Sequence, residues 1–167
     1  MPNSTKTMGF APSTAETTAT GKLQQCILSI EDNEEAMFLV KSAIEEFGDG
    51  KYRLEWANCL KDGVNRLSKG GVDLVLLDLG LPDSSGSLTY DSVRTNAPEV
   101  PVLVLTGDGT EETESTVIDR GGEDYLVKDQ VSGALLVQAI QSTIYASKLQ
   151  RRVPLDNSKT ARVGSRG

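Results

Sequence analysis

From Gln25 onward, short apolar runs alternate five times with stretches whose apolar residues recur at helical spacing. QCILSI (25–30), YRLEWA (52–57), DLVLLD (73–78), PVLVLT (101–106) and DYLVK (124–128) read as strands. Helices are predicted between and after them. Over 33–47, Ala36, Leu39, Val40, Ala43, Ile44 and Phe47 share one face, and Gly48 ends the run. A weaker helix covers 60–69, with Leu60, Val64 and Leu67 on one side. A short one covers 88–96 and stops before Pro98, and another covers 111–120 ahead of Gly121-Gly122. A long last helix begins at Ser132, and LPDSSG (81–86) is turn chemistry. The order βαβαβαβαβα, with continuous apolar strands, implies a parallel sheet covered by helices on both faces. Only the second strand alternates clearly, which suits an edge.

In such a sheet, ligands sit outside the carboxyl ends of the strands, near the point where the strand order reverses. Strand one runs into Glu31, Asp32 and Asn33, and strand three ends at Asp78. Strand four ends at Thr106, followed by Gly107-Asp108-Gly109, and strand five ends at Lys128. Strand two ends in Ala57-Asn58, which offers nothing sharp. Three carboxylates, one hydroxyl and one ammonium therefore gather at one sheet edge if strands one and three are neighbours. Crowded carboxylates repel, and a hard divalent cation relieves them. Oxygen-only ligands of this kind favour Mg²⁺, which shares its shell with waters and a phosphate. Lys128 and Thr106 are placed to meet phosphoryl oxygens. Asp78 is the candidate carboxylate nucleophile, forming an aspartyl phosphate. Taken singly, each of these residues is common as a helix cap or solvated loop residue. The ordered set is not.

Composition limits the chemistry further. The chain has no histidine, which excludes Ser-His-Asp and Cys-His nucleophile systems, His-ligated zinc and a phosphohistidine on this chain. Its net charge of -7 argues against direct DNA or other nucleic-acid binding, which calls for a basic face. Cys26 and Cys59 are too far apart for a CxxC motif and are expected to be buried reduced thiols. No apolar run reaches the roughly 18 residues of a membrane span, and no signal-peptide pattern opens the chain, so a cytoplasmic location is expected. Residues 1–22, rich in Thr, Ser, Ala and Gly, are expected to be disordered. From Lys148 to 167, six basic residues face one acid, so the body is more acidic than the whole-chain charge suggests. This segment reads as a solvated tail or helix extension, a linker, or a docking arm. The domain proper is 23–147.

The set Glu31-Asp32, Asp78 in LVLLDLGLPDSSG, Thr106 in VLVLTGDG and Lys128 in DYLVKD resembles the receiver domains of two-component response regulators. The similarity covers about 23–147 and points to the branch with LGLPDSxG after strand three and DYLVK in the last strand. It implies a flavodoxin-like doubly wound sheet of five parallel strands with five helices, in the order 2-1-3-4-5 that the chemotaxis regulator also has. It implies Asp78 as phosphoacceptor, with Glu31, Asp32, Asp78 and the Gly80 backbone carbonyl around Mg²⁺. Thr106 and Lys128 contact the phosphoryl group in that picture. Tyr125 matches the aromatic that turns inward as Thr106 is drawn to the phosphoryl group, a shift between two pre-existing states. The implied partners are a histidine kinase or histidine phosphotransfer protein, and a downstream protein target. The chain departs from the family at Asp129, where a proline usually follows the lysine, and at Gly80, where many relatives carry a larger polar side chain.

Three other functions share parts of this pattern. A pseudo-receiver, an interaction module with no phosphorylation, shares the fold but lacks the chemistry. A haloacid-dehalogenase-type phosphatase places D-x-D after strand one, whereas Asp78 lies in strand three and is followed by Leu79-Gly80. An FMN carrier needs a phosphate-cradling first loop, which Glu31-Asp32 would repel. The expectation is therefore a receiver that is not an enzyme beyond its own phosphorylation and dephosphorylation. A monomer or weak dimer is expected, because Leu136, Ile140, Thr143 and Ser147 form a stripe on the last helix that could face either the core or a second copy.

Overall fold

The computed structural model describes residues 23–107 and 124–153. The elements in order are β1 (Gln25–Ile30), α1 (Glu34–Phe47), β2 (Tyr52–Ala57), α2 (Leu60–Leu67), β3 (Leu74–Leu77), β4 (Gly80–Leu81), β5 (Ser84–Ser85), α3 (Ser87–Asn96), β6 (Val102–Thr106), β7 (Asp124–Val127), a 3₁₀ turn (Lys128–Gln130) and α4 (Gly133–Arg152). The helix expected over 111–120, its Gly121-Gly122 cap and Asp108 lie outside the described residues.

β2, β1, β3, β6 and β7 pair in that order, all in parallel. Because β4 and β5 form only a small antiparallel hairpin of their own, the main sheet has the expected order 2-1-3-4-5. The turn segment LPDSSG, with Gly80 before it, thus forms a hairpin where sequence patterning shows only turn residues. It closes at Gly86, whose φ of 59° is the left-handed conformation that glycine adopts without strain.

The continuous apolar strands bury both faces. On one side Ile27, Leu74, Leu76, Leu103 and Leu105 pack against α1 and α4. On the other, Leu28, Ile30, Val75, Leu77, Val102 and Val104 pack against α2 and α3. Each such side chain contributes about 1.5–3 kcal/mol when fully buried. The edge strand β2 is the half-buried one, as its alternation suggests. Gly63 lets α2 lie close on β1: a Cβ there would stand 2.4 Å from Ile30 Cδ1.

α1 starts where Asn33 accepts from the Ala36 N–H, with Glu34 and Glu35 complementing the helix dipole. Its buried face is Met37, Val40, Ala43 and Ile44, which keeps Val40, Ala43 and Ile44 from the face expected from the sequence and adds Met37. Leu39 is 67% exposed and Phe47 42% exposed, while Met37 turns inward. The apolar stripe of α1 is wider than its contact with the sheet, so its rim remains in solvent. Phe47 lies over Gly133 at the start of α4, which is why only part of its ring is exposed.

Ser132 caps α4 by accepting from the Leu135 N–H. Leu136, Ile140, Thr143 and Ser147 are all buried in the chain's own core, so this stripe is not available to a second copy. α4 runs into the basic segment as far as Arg152, so part of that segment is a helix extension. Cys26 is buried as expected, but Cys59 is only half-buried, because it sits at the N-cap of α2 rather than inside a strand. No helix among the described residues is long and apolar enough to cross a membrane.

Candidate functional site

Strand register brings the site together. Ile30 pairs with both Ala57 and Leu77, and Thr106 pairs with Val127. The residues that follow these pairs, Glu31, Asp78 and Lys128, are therefore delivered to the same sheet edge. The ladder continues one step past the strands: Asp78 N–H donates to the Ile30 carbonyl and Glu31 N–H to the Ala57 carbonyl, both at 3.0 Å. The backbone beneath both acids is thus held rigidly.

Ligand oxygens of Glu31, Asp32 and Asp78 all lie within 4.8 Å of one another. Glu31 and Asp78 are buried, and Asp32 is exposed at the mouth. Lys128 Nζ lies between the two buried acids, 2.9 Å from Asp78 Oδ2 and 2.5 Å from Glu31 Oε2. The other oxygen of each acid is also engaged. Asp78 Oδ1 accepts from the Gly80 N–H at 3.1 Å, and Glu31 Oε1 from the Asn33 N–H at 3.0 Å. Burial pushes the Glu31 carboxyl above the usual glutamate range, and the lysine only partly offsets this. Burial also works against the Lys128 ammonium, but its bonds to Glu31 and Asp78 prevail and raise its pKa. The Lys128 ammonium thus pairs with two acids of a cluster of three. The donor set is oxygen-only and carries surplus negative charge, which fits a hard divalent cation such as Mg²⁺.

Thr106 is buried at the end of β6, and Tyr125 is half-buried in β7, packed against the core cluster shared by α2 and α3. Asp129 does not misdirect the lysine. The chain after β7 tightens into the 3₁₀ turn Lys128–Gln130, Asp129 faces solvent, and Lys128 still reaches both acids. Gly80 lies in β4 with room around it: a Cβ there would come no closer than 3.9 Å to Asp78 Oδ1, its nearest neighbour among the described residues.

Two residues of the surroundings were missed from sequence. Strand two, which ends in nothing sharp, supplies Trp56, whose indole N–H donates to the Glu31 carbonyl at 2.6 Å. Asp83 accepts from the Leu60 and Lys61 N–H groups at 2.9 Å each, and so caps α2 from 23 and 22 residues away. Such pairings depend on tertiary proximity. The only hint in the sequence was that Cys59, ahead of α2, is a poor cap, and it makes no side-chain cap bond.

A family model described as "Response regulator receiver domain" matches residues 27–141. The chain is 34% identical over 102 residues to the swarming motility regulation protein RssB of Serratia marcescens, covering 61% of this chain and 45% of that protein. It is likewise 34% identical over 102 residues to the KDP operon transcriptional regulatory protein KdpE of Escherichia coli, covering 61% of this chain and 44% of KdpE. The chain therefore spans less than half the length of these relatives. Among solved structures, the signal receiver domain of a LuxO repressor protein from Vibrio parahaemolyticus superposes with a TM-score of 0.69 at 25% identity, covering 77% of this chain and 96% of that one. The doubly wound sheet, the acids and lysine at its carboxyl edge and a family match over most of the chain agree, and the protein belongs to the response regulator receiver family of two-component systems.

Proposed function

We propose that residues 23–147 form a receiver in which Asp78 accepts a phosphoryl group from a phosphohistidine on a partner kinase or phosphotransfer protein. The observation that carries this reading is Lys128 bridging Asp78 and Glu31, with Asp32 close by. An Asp78 carboxylate oxygen attacks phosphorus in line with the leaving imidazole nitrogen. The P–N bond breaks, its electron pair stays on the imidazole, and an acyl phosphate forms on Asp78. Hydrolysis reverses the gain when water attacks phosphorus and the carboxylate leaves.

Glu31, Asp32, Asp78 and the Gly80 carbonyl would hold Mg²⁺, which supplies charge neutralisation to the phosphoryl oxygens. Lys128 stays beside Asp78 and neutralises a phosphoryl oxygen. The Gly80 N–H, already bonded to Asp78, orients the carboxylate for attack. Thr106 and Tyr125 carry the response: a hydroxyl drawn toward the phosphoryl group vacates space that the half-buried tyrosine fills. A groove beside Lys128, lined by Leu39, Val40, Phe47 and Leu136 and with a volume of about 580 Å³, gives the donor protein an apolar foothold next to the site. Output passes through protein contact on the surface that this shift alters.

Incubation with Mg²⁺ and phosphoramidate tests the reading. A mass gain of one phosphoryl group is expected, lost in Asp78→Asn and on chelation with EDTA. No gain in the parent chain would favour the pseudo-receiver instead, and a gain that survives Asp78→Asn would remove Asp78 as the acceptor.

A further inference from the structure

The hairpin that follows Asp78 carries the one backbone oxygen assigned to the cation, the Gly80 carbonyl. It consists of only two residue pairs, Gly80 with Ser85 and Leu81 with Ser84. A two-stranded ribbon of this length has no stability of its own. Its base is pinned by the Gly86 N–H, which donates to the Leu79 carbonyl at 2.9 Å. Buried Thr89 adds a hydroxyl bond to Ser84 Oγ at 2.9 Å. Its tip is pinned at Asp83, through one carboxylate oxygen on Leu60 N–H and the other on Lys61 N–H.

Those two amides belong to the first turn of α2, whose own cap residue, Cys59, contributes no side-chain bond. α2 in turn is seated on β1 through the close approach at Gly63. β1 leads directly into Glu31 and Asp32. A short mechanical path therefore joins the two backbone segments that carry the acids and the carbonyl, and Asp83 is its middle link. The two backbone bonds also hold the Asp83 carboxyl below the usual aspartate range, so it is ionised at neutral pH.

We propose that Asp83 is a positioning residue for the cation site: by tying the tip of the Gly80–Ser85 hairpin to the N-terminus of α2, it holds the Gly80 carbonyl in register with Glu31, Asp32 and Asp78. This rests on the reading of the site given above. Asp83 touches neither the phosphoryl group nor the cation, and its effect passes through the hairpin.

The test is Mg²⁺ titration of the full chain, followed by Trp56 fluorescence at a temperature where every variant is folded, with the Mg²⁺-dependent rise in Tm as a second readout. Asp83→Ala is expected to weaken Mg²⁺ binding about tenfold, the usual scale for loss of an outer-shell support. Asp83→Asn keeps one acceptor oxygen and should fall between the two. Adding Cys59→Ser to Asp83→Ala gives α2 a local cap without restoring the tether, so Mg²⁺ binding should stay weak. Thr143→Ala, a destabilising change in α4 away from the site, should leave Mg²⁺ binding unchanged.

The positioning role is overturned if Asp83→Ala binds Mg²⁺ like the parent, if Cys59→Ser restores binding, or if Thr143→Ala weakens it equally. Absence of any Mg²⁺ response in the parent chain is a separate result, and it overturns the reading of the site itself.

Discussion

Lys128 is where charge balance in the site is decided. It is the ammonium that meets both buried acids, and one cation cannot balance Glu31, Asp32 and Asp78. Lys128→Ala leaves two buried carboxylates without this partner and should cost roughly 1–3 kcal/mol of stability in the absence of divalent ions. Mg²⁺ held by these acids as proposed should return part of that loss, because it would supply the missing positive charge and favour the folded state in which they converge. Thermal melts of parent and variant, with EDTA and with Mg²⁺, measure both effects. A variant whose deficit is the same in both conditions would show that lysine and cation do not share these carboxylates. Trp56 acts on Glu31 through the backbone, by its bond to the Glu31 carbonyl. Trp56→Phe keeps most of the ring packing and removes the donor, so Mg²⁺ affinity should fall a few-fold with little change in Tm, read by Mg²⁺-dependent melting.

At the level of elements, the site depends on how closely α2 and the hairpin sit against the sheet. Gly63 permits that approach, since a Cβ would collide with the Ile30 side chain at 2.4 Å. Gly63→Ala gains helix propensity but overpacks the interface. The overpacking should win, with a net loss of about 1–3 kcal/mol in chemical denaturation. Helix and strand assignments were largely legible, because buried parallel strands are apolar throughout and helices carry a 3.6-residue period. The β4–β5 hairpin was not legible, since LPDSSG reads only as turn residues. The inward face of α1 was also misdrawn. Periodicity locates an apolar stripe, but only the packing partners decide that Met37 goes in and Leu39 stays out.

Across the whole molecule, charge is handled in two separate places on the sheet. The acidic edge is the candidate site. Glu55, on edge strand β2, is instead held between Arg53 and Arg66. Burial raises the Glu55 carboxyl, but the two guanidinium groups outweigh it and its pKa lies below the usual glutamate range. Cys26, buried beside this cluster, has its thiol pushed up to about 11 by burial and by Glu55, and stays protonated. A depressed folded-state pKa means stability that is present above the unfolded value, about 4.3, and is lost as pH falls through the folded value. Glu55→Gln should therefore be destabilised near neutral pH, and its deficit should shrink below roughly pH 4. Urea unfolding of both proteins from about pH 7 to about pH 3 tests this; a deficit that stays constant would remove the ion cluster as its cause.

The linear sequence by itself determined the order of strands and helices, the two-faced core and the chemical types at the strand ends. Those properties are local: an apolar run or a 3.6-residue period is set by neighbours in the chain. The family resemblance implied the strand order that places β3 beside β1, but no local pattern encodes it, and only the tertiary structure turns Glu31, Asp78 and Lys128 from separate loop residues into one cluster. The same holds for Trp56 on the Glu31 carbonyl and for Asp83 on the first turn of α2. Hydrogen bonds spanning more than 20 residues form where chain segments meet, and no pattern along the chain encodes that meeting.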